Sequence, residues 1–228
     1  LQKKSIPLES VMSKSWNNKI FKHIQEEVDR ASQKLSEERG ACPDAEEYGF
    51  KERFSNKTAI APTASISIIC GGASPGVEPV AANSYTHKTL SGSYNVRNKY
   101  LKQILEKYKK NNDEVWSSIT TNQGSVKHLD FLSQNEKDVF KTAFELDQRW
   151  IVELAADRTP FISQAQSINI FLPADVHKKD LHQIHFQAWK KGLKSLYYCR
   201  SKSIQRAENV NDNLSTNATK NESIESKD

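Results

Sequence analysis

Cysteine is scarce in this chain: three in 228 residues, Cys42, Cys70 and Cys199, odd in number and far apart. No C-x-x-C pair and no zinc-ligand spacing occurs, which argues against a disulfide scaffold or a zinc module and points to a reduced, cytosolic setting. No apolar run approaches the roughly 18 residues of a membrane helix, and no signal peptide is evident. The expectation is a cytoplasmic protein without a membrane partner. Basic residues exceed acidic ones only slightly, 33 against 28, and no dense Lys/Arg cluster interleaves with aromatics, so nucleic acid is not an expected partner. Neither a P-loop nor a G-x-G-x-x-G fingerprint is present. Hydrophobic residues make up 36% and the mean hydropathy is -0.71, so the core is modest for the length and the helices carry long charged faces. Residue 1 is Leu, and a partial or processed piece of a longer protein is expected.

The least charged run is Ala59 to Pro79, AIAPTASISIICGGASPGVEP. Ala59, Ile60 and Ala61 begin it as a buried strand would, and Pro62 breaks it. Thr63, Ser65 and Ser67 then alternate with Ala64, Ile66 and Ile68, which fits a strand edge. Gly71, Gly72 and Gly76 let backbone approach a ligand closely. Two readings are open: a phosphate held by hydroxyls and amide N–H groups, or a half-exposed edge strand with no ligand.

Around this stretch the pattern is mostly helical. Trp16, Ile20, Phe21, Ile24, Val28, Ala31 and Leu35 recur at three- and four-residue spacing before Gly40 and Pro43 stop the helix. Residues 41–58 read as polar loop with one short helix near Asp44. Asn83 to Tyr100 reads as an extended connection. Helices are expected over 99–109, over a short stretch capped by Asp113, after the Ser133/Glu136 capping-box pair, and over 146–156. Ser167 to Leu172 alternates as a strand, 173–191 reads as a helix capped by Asp175, and Lys194 to Cys199 reads as a second strand. Strand, helix and strand with short links predict a βαβ unit with parallel strands. After Ala207 the chain turns Asn/Ser-rich with few apolar residues and is expected to be a disordered tail over 207–228.

Three constellations carry possible chemistry. Tyr197 and Tyr198 are adjacent aromatics, which serve as core and cover on opposite strand faces or, if brought together, as a redox pair. Successive strand side chains point to opposite faces, so stacking requires the strand to bend or end near Leu196. His182 and His185 share a helix face at metal-ligand spacing, although the position of His185 on the apolar stripe favours a core histidine. Cys199 reads as an inert buried thiol rather than a redox centre.

The segments APTASISIICGGASPGVEP, YTHKTLSGSYNVRN, LDQRWIVELAADRTPFISQAQSINIFLPADV and KKGLKSLYYCRS, in that order, resemble the C-terminal third of the large (α) subunit of class I ribonucleoside-diphosphate reductase. The resemblance runs from about residue 5 to residue 206. It implies an α/β fold, the C-terminal portion of a ten-stranded α/β barrel with helices at the start, so that residues 1–206 form an incomplete barrel domain. It implies that Pro62, Thr63, Ala64, Ser65 and Ile66 form the loop that binds the substrate diphosphate. Ala64 stands where some members have a carboxylate and Ile66 where some have Ser. It also implies that Tyr197 and Tyr198 are the stacked pair relaying a radical from the small subunit.

The same resemblance places the thiyl-forming cysteine, the reducing cysteines and the allosteric ATP and deoxynucleotide domains outside this stretch. Cys42, Cys70 and Cys199 match none of the family's cysteine motifs. This chain is expected to bind no metal or cofactor of its own, the radical coming from a metal-containing small (β) subunit. The implied partners are that subunit, the N-terminal part of the α subunit, a ribonucleoside diphosphate, and thioredoxin or glutaredoxin for the complete enzyme. The implied role is deoxyribonucleotide biosynthesis for DNA replication. The alternative is a catalytically silent interaction module of the same fold that binds the small subunit.

Overall fold

The computed structural model describes residues 1–89 and 92–201. The tail expected over 207–228 lies outside the described residues. No helix among those residues is long and apolar enough to cross a membrane.

Helix α1, Val11–Arg39, starts where the Ser10 hydroxyl accepts from the Ser13 amide and stops at Gly40, whose φ of 82° suits a residue without Cβ. The apolar stripe expected to bury it does not do so: Ile20 and Ile24 are exposed, and the buried residues of the helix are Ser13, Ser32 and Ser36. Small residues sit there because chain approaches closely. The Ser32 hydroxyl accepts from the amides of Arg53 and Phe54, fastening the polar loop and its short helix α2, Pro43–Glu47.

The central stretch corrects the strand expectation. Ile60 does pair in parallel with Gln166, but after Pro62 the chain forms helix α3, Ala64–Ile69. The Ser67 amide donates to the Thr63 carbonyl and the Cys70 amide to that of Ile66, so backbone groups are satisfied locally without a neighbouring strand. Six residues are too few for periodicity to separate the two outcomes. The extended connection over 83–100 is in fact an antiparallel hairpin, β1 (Ser84–Thr89) and β2 (Gly92–Arg97), pairing Ser84 with Arg97 and Thr89 with Gly92.

Two cores follow. The first packs helices α4 (Lys99–Lys107), α5 (Asp113–Thr121) and α6 (Gln134–Val139) around Leu101, Leu105, Trp116, Ile119, Val126 and Phe140. Asn112, not Asp113, caps α5, its side chain accepting from the Val115 amide at 3.0 Å. Asn83 pins the hairpin to this core: its buried side-chain amide donates to the carbonyls of Gly124 at 3.0 Å and Phe140 at 2.7 Å. Gly124 has a φ of +81°, and a side chain there would strike Ala82.

The capping box at α6 is complete, with the Glu136 amide donating to the Ser133 hydroxyl and the Ser133 amide to the Glu136 carboxylate. Burial works to raise the Glu136 carboxyl, but hydrogen bonds from Ser133 and Tyr108 outweigh it and hold the carboxyl below its usual 4.5. A carboxyl depressed in the folded state contributes stability above the unfolded pKa and loses it as pH falls through the folded one. Ser133→Ala is therefore expected to lower unfolding free energy by about 1 kcal/mol near neutral pH. In chemical denaturation that gap should narrow below about pH 4; a gap that stays constant in acid would show that the box is not its source.

The second core joins helix α7 (Gln148–Arg158), strands β3 (Ile170–Leu172) and β4 (Cys199–Ser201), and helix α8 (Lys178–Lys190). Ile151, Val152, Ala155, Ile168, Ile170, Leu172, Ile184 and Ala188 fill it. β3 and β4 pair in parallel, Ile170 with Cys199 and Leu172 with Ser201, so the expected βαβ unit is present with shorter strands. β4 begins only where the expected strand 194–199 ends. α8 starts later than expected because His177, not Asp175, caps it, accepting from the Lys179 amide through Nδ1.

Candidate functional site

Three parallel segments lie side by side. The Ile60 amide donates to the Ala165 carbonyl, the Ser167 amide to that of Ile60, the Tyr197 amide to that of Ile168, and the Ile170 amide to that of Tyr198. Pairing of Ile60 with Gln166 and of Ile170 with Cys199 sets a common register. The segment leading to Pro62 and the segment carrying Tyr197 and Tyr198 thus flank the central segment 165–170 on its two sides. The loop 62–66 opens at the carboxyl end of its segment, where α/β sheets receive ligands.

Tyr197 and Tyr198 precede the regular strand, and their ring centroids are 4.1 Å apart at an interplanar angle of 54°. The strand begins after them, so the alternation of faces does not separate the rings. Hydrogen bonding with Tyr198 pushes the Tyr197 phenol above its usual 10, aided by desolvation, while Arg200 pulls it the other way. The Arg200 guanidinium lies over the Tyr198 ring, 5.2 Å from its centroid.

At the loop, the Thr63 amide and hydroxyl both donate to the Pro75 carbonyl at 3.0 Å. That folds the glycine-rich turn back over the start of α3. The intrahelical ladder begins with Ser67 donating to Thr63, so the amides of Ala64, Ser65 and Ile66 precede it, as first-turn amides do. Ile66 is exposed. The turn is clamped from its far side: the Ser74 hydroxyl donates to the Glu78 carbonyl at 2.6 Å, and the buried Glu78 carboxylate accepts the Asn169 amide.

Behind the segments, Arg158 is 4% exposed. Its Nε donates to Gln166 Oε1 at 2.7 Å and its Nη1 to Asn17 Oδ1 at 3.3 Å. Burial lowers this guanidinium to about 10, partly opposed by the Glu78 and Asp157 carboxylates. Sequence reading singled out neither Arg158 nor Arg200; Glu78 was visible only as the acidic residue of the Gly76–Pro79 run.

Other expectations need correction. His185 is exposed rather than a core histidine, its Nδ1 2.8 Å from the Leu181 carbonyl, and His182 is exposed beside Phe186. The intervening turn leaves the buried face of α8 to Ile184 and Ala188. Cys199 is exposed, not buried, because the three-residue β4 is exposed throughout. Among the described residues no cluster of three or more His, Cys, Asp or Glu side chains is placed to hold a metal ion. A cavity of about 790 Å³ lies between the 71–80 turn, the N-terminal residues and the foot of the hairpin. It borders the turn and is lined by Ser67, just past the 62–66 loop.

The family profile described as ribonucleotide reductase, barrel domain, matches residues 44–199. The ribonucleoside-diphosphate reductase large subunit of Invertebrate iridescent virus 6 is 46% identical over 96% of this chain and 23% of its own length. That of Invertebrate iridescent virus 3 is 44% identical over 97% of this chain and 35% of its own. The solved Actinobacillus ureae class Id ribonucleotide reductase alpha subunit superposes with a TM-score of 0.82 at 38% identity, covering 89% of this chain and 37% of that one. This chain thus spans between 23% and 37% of the length of these relatives.

Proposed function

This chain belongs to the ribonucleotide reductase barrel-domain family, an oxidoreductase family, and from that premise we propose that it acts within a large subunit converting ribonucleoside diphosphates to deoxyribonucleoside diphosphates by radical chemistry. Its segments are the C-terminal portion of the ten-stranded α/β barrel. The observation that carries the reading is the tyrosine pair, 4.1 Å apart, on a segment hydrogen-bonded to the same central segment as the one that leads into the 62–66 loop.

In this reading Tyr197 and Tyr198 pass a radical inward from the small subunit. One phenol gives up an electron and its proton as the other regains them, so the pair holds a single radical and its charge is unchanged. The substrate diphosphate rests on the first-turn amides of Ala64, Ser65 and Ile66, which present donors toward negative charge. Pro62 starts the loop, and Thr63 shapes it through Pro75. Ile66 offers no side-chain donor. The thiols that act on the ribose, the allosteric nucleotide sites and the thioredoxin or glutaredoxin contacts belong to other parts of the subunit.

Thr63→Ala combined with Ser65→Ala is expected to raise KM for the nucleoside diphosphate about tenfold or more with little change in kcat, since the first frees the turn that Thr63 holds through Pro75 and the second removes a hydroxyl donor to a charged group, a contribution of about 1.5–3 kcal/mol. Equilibrium binding of the diphosphate to the assembled subunit measures this. An unchanged affinity would remove the diphosphate assignment.

A further inference from the structure

We infer that Arg200 is a positioning residue for the tyrosine pair: its guanidinium, stacked over the Tyr198 ring, holds that ring against Tyr197 and forces electron and proton to move together between the two phenols. This rests on the relay reading above and names the group that regulates it. Three observations converge. Tyr198 stands immediately before β4 and Arg200 is the middle residue of that strand, and the guanidinium carbon is 5.2 Å from the ring centroid. That contact is within the range of a cation–π attraction. Arg200 is exposed, and its guanidinium faces the Tyr198 ring at cation–π distance. Tyr197, 4.1 Å away, also feels the Arg200 charge, which draws its phenol down against the hydrogen bond with Tyr198, while Lys194 on the same link donates to the Ser163 carbonyl.

The chemistry follows from charge. Transfer within the pair moves one hydrogen atom, an electron with a proton, from one phenol to the other phenoxyl, so one O–H bond breaks and one forms. The initial radical is the one supplied by the small subunit. If the electron left Tyr198 first, a ring cation would form beneath the guanidinium, and like charges repel. If the proton goes with the electron, the ring stays neutral and the contact survives. Arg200 therefore penalises the stepwise route and leaves the coupled one. It also restrains a half-exposed ring that little else orders, since neither tyrosine belongs to the regular strand.

The test uses the complete large subunit containing this segment, assembled with its small subunit. Arg200→Gln removes the charge at similar length; Arg200→Lys keeps it. Loss of a cation–π contact at an exposed site corresponds to about a two- to fivefold change. The expected result is that Arg200→Gln lowers kcat by that factor with KM for the diphosphate unchanged, and that Arg200→Lys recovers most of the loss. Full turnover in Arg200→Gln overturns the inference, as does a loss in Arg200→Lys equal to that in Arg200→Gln, or a rise in KM matching the fall in kcat. Tyr198→Phe in the same assay separates this inference from the reading beneath it. If Tyr198→Phe turns over normally, the relay itself fails; if it is inactive while Arg200→Gln is normal, only the role of Arg200 falls.

Discussion

Tyr198→Phe is expected to reduce nucleotide reduction by the assembled enzyme at least about a thousandfold, equivalent to more than about 4 kcal/mol of barrier, and Tyr197→Phe to do the same. The substitution keeps the ring, its area and its contact with the neighbouring ring at 4.1 Å. It removes only the O–H. Because both phenols are roughly half exposed, 46% and 53%, little folding energy depends on that hydroxyl, and surface changes of this kind usually fall within about 0.5 kcal/mol of wild type. The fall should appear in kcat, with diphosphate affinity intact, because the 62–66 loop is held by its own contacts to Pro75 and not by the tyrosines. Turnover assays and equilibrium substrate binding on the same preparations decide the matter. A variant retaining even a tenth of wild-type turnover would show that hydrogen-atom transfer does not pass through that phenol.

The sequence made the two ends of this site legible to different degrees. At Tyr197 and Tyr198 the simple rule that strand neighbours face apart demanded that the expected strand bend or end near Leu196; instead the regular strand begins only at Cys199, after both rings. At the loop the same kind of rule misled. Alternation of Ser and Ile after Pro62 reads as strand, yet a short helix satisfies the backbone locally and turns the first amides outward. The hairpin at 84–97 escaped because its polar strands carry too few apolar positions to show a face. α1 escaped in another way: its apolar residues have helical spacing, but serines make the close contacts, and no pattern of hydrophobicity marks a serine that accepts from a passing loop. Caps at Ser133 and Gly40 were readable because they are local. Arg158 was not, since its partners Gln166 and Asn17 lie 8 and 141 residues away, and only tertiary structure brings them together.

Arg158 should also be the most costly of these residues to lose. It joins α7 to the sheet through Gln166 and to α1 through Asn17, and its guanidinium lies 5.5 Å from the Phe21 ring centroid. Gln166 in turn donates to the Ala155 carbonyl at 2.9 Å and the Thr159 hydroxyl at 2.8 Å. Its backbone pairs with Ile60. Two effects oppose each other in Arg158→Met. Removing a buried charge relieves the desolvation that draws this guanidinium down to about 10, and a buried ion replaced by a well-packed apolar side chain can be neutral in the best cases. Against this, the buried Gln166 oxygen loses its donor, at about 1–3 kcal/mol for a buried unsatisfied group, the half-buried Asn17 oxygen loses a longer bond, and the buried Glu78 carboxylate loses a nearby positive charge. The acceptors remain whatever replaces the arginine, so the second effect wins, and a net loss of about 3 kcal/mol is expected. For a chain of this size that corresponds to a fall in Tm of about 6–12 °C. Arg158→Lys should fall between, because one ammonium cannot serve two acceptors on different elements as the guanidinium fork does. Thermal unfolding of the purified protein tests this, and a Met variant melting within a degree or two of wild type would show that the network holds nothing. The consequence should reach the loop as well. With Gln166 loosened, the Ile60 pairing from which the 62–66 loop departs is no longer fixed, so diphosphate affinity in the surviving folded fraction should drop.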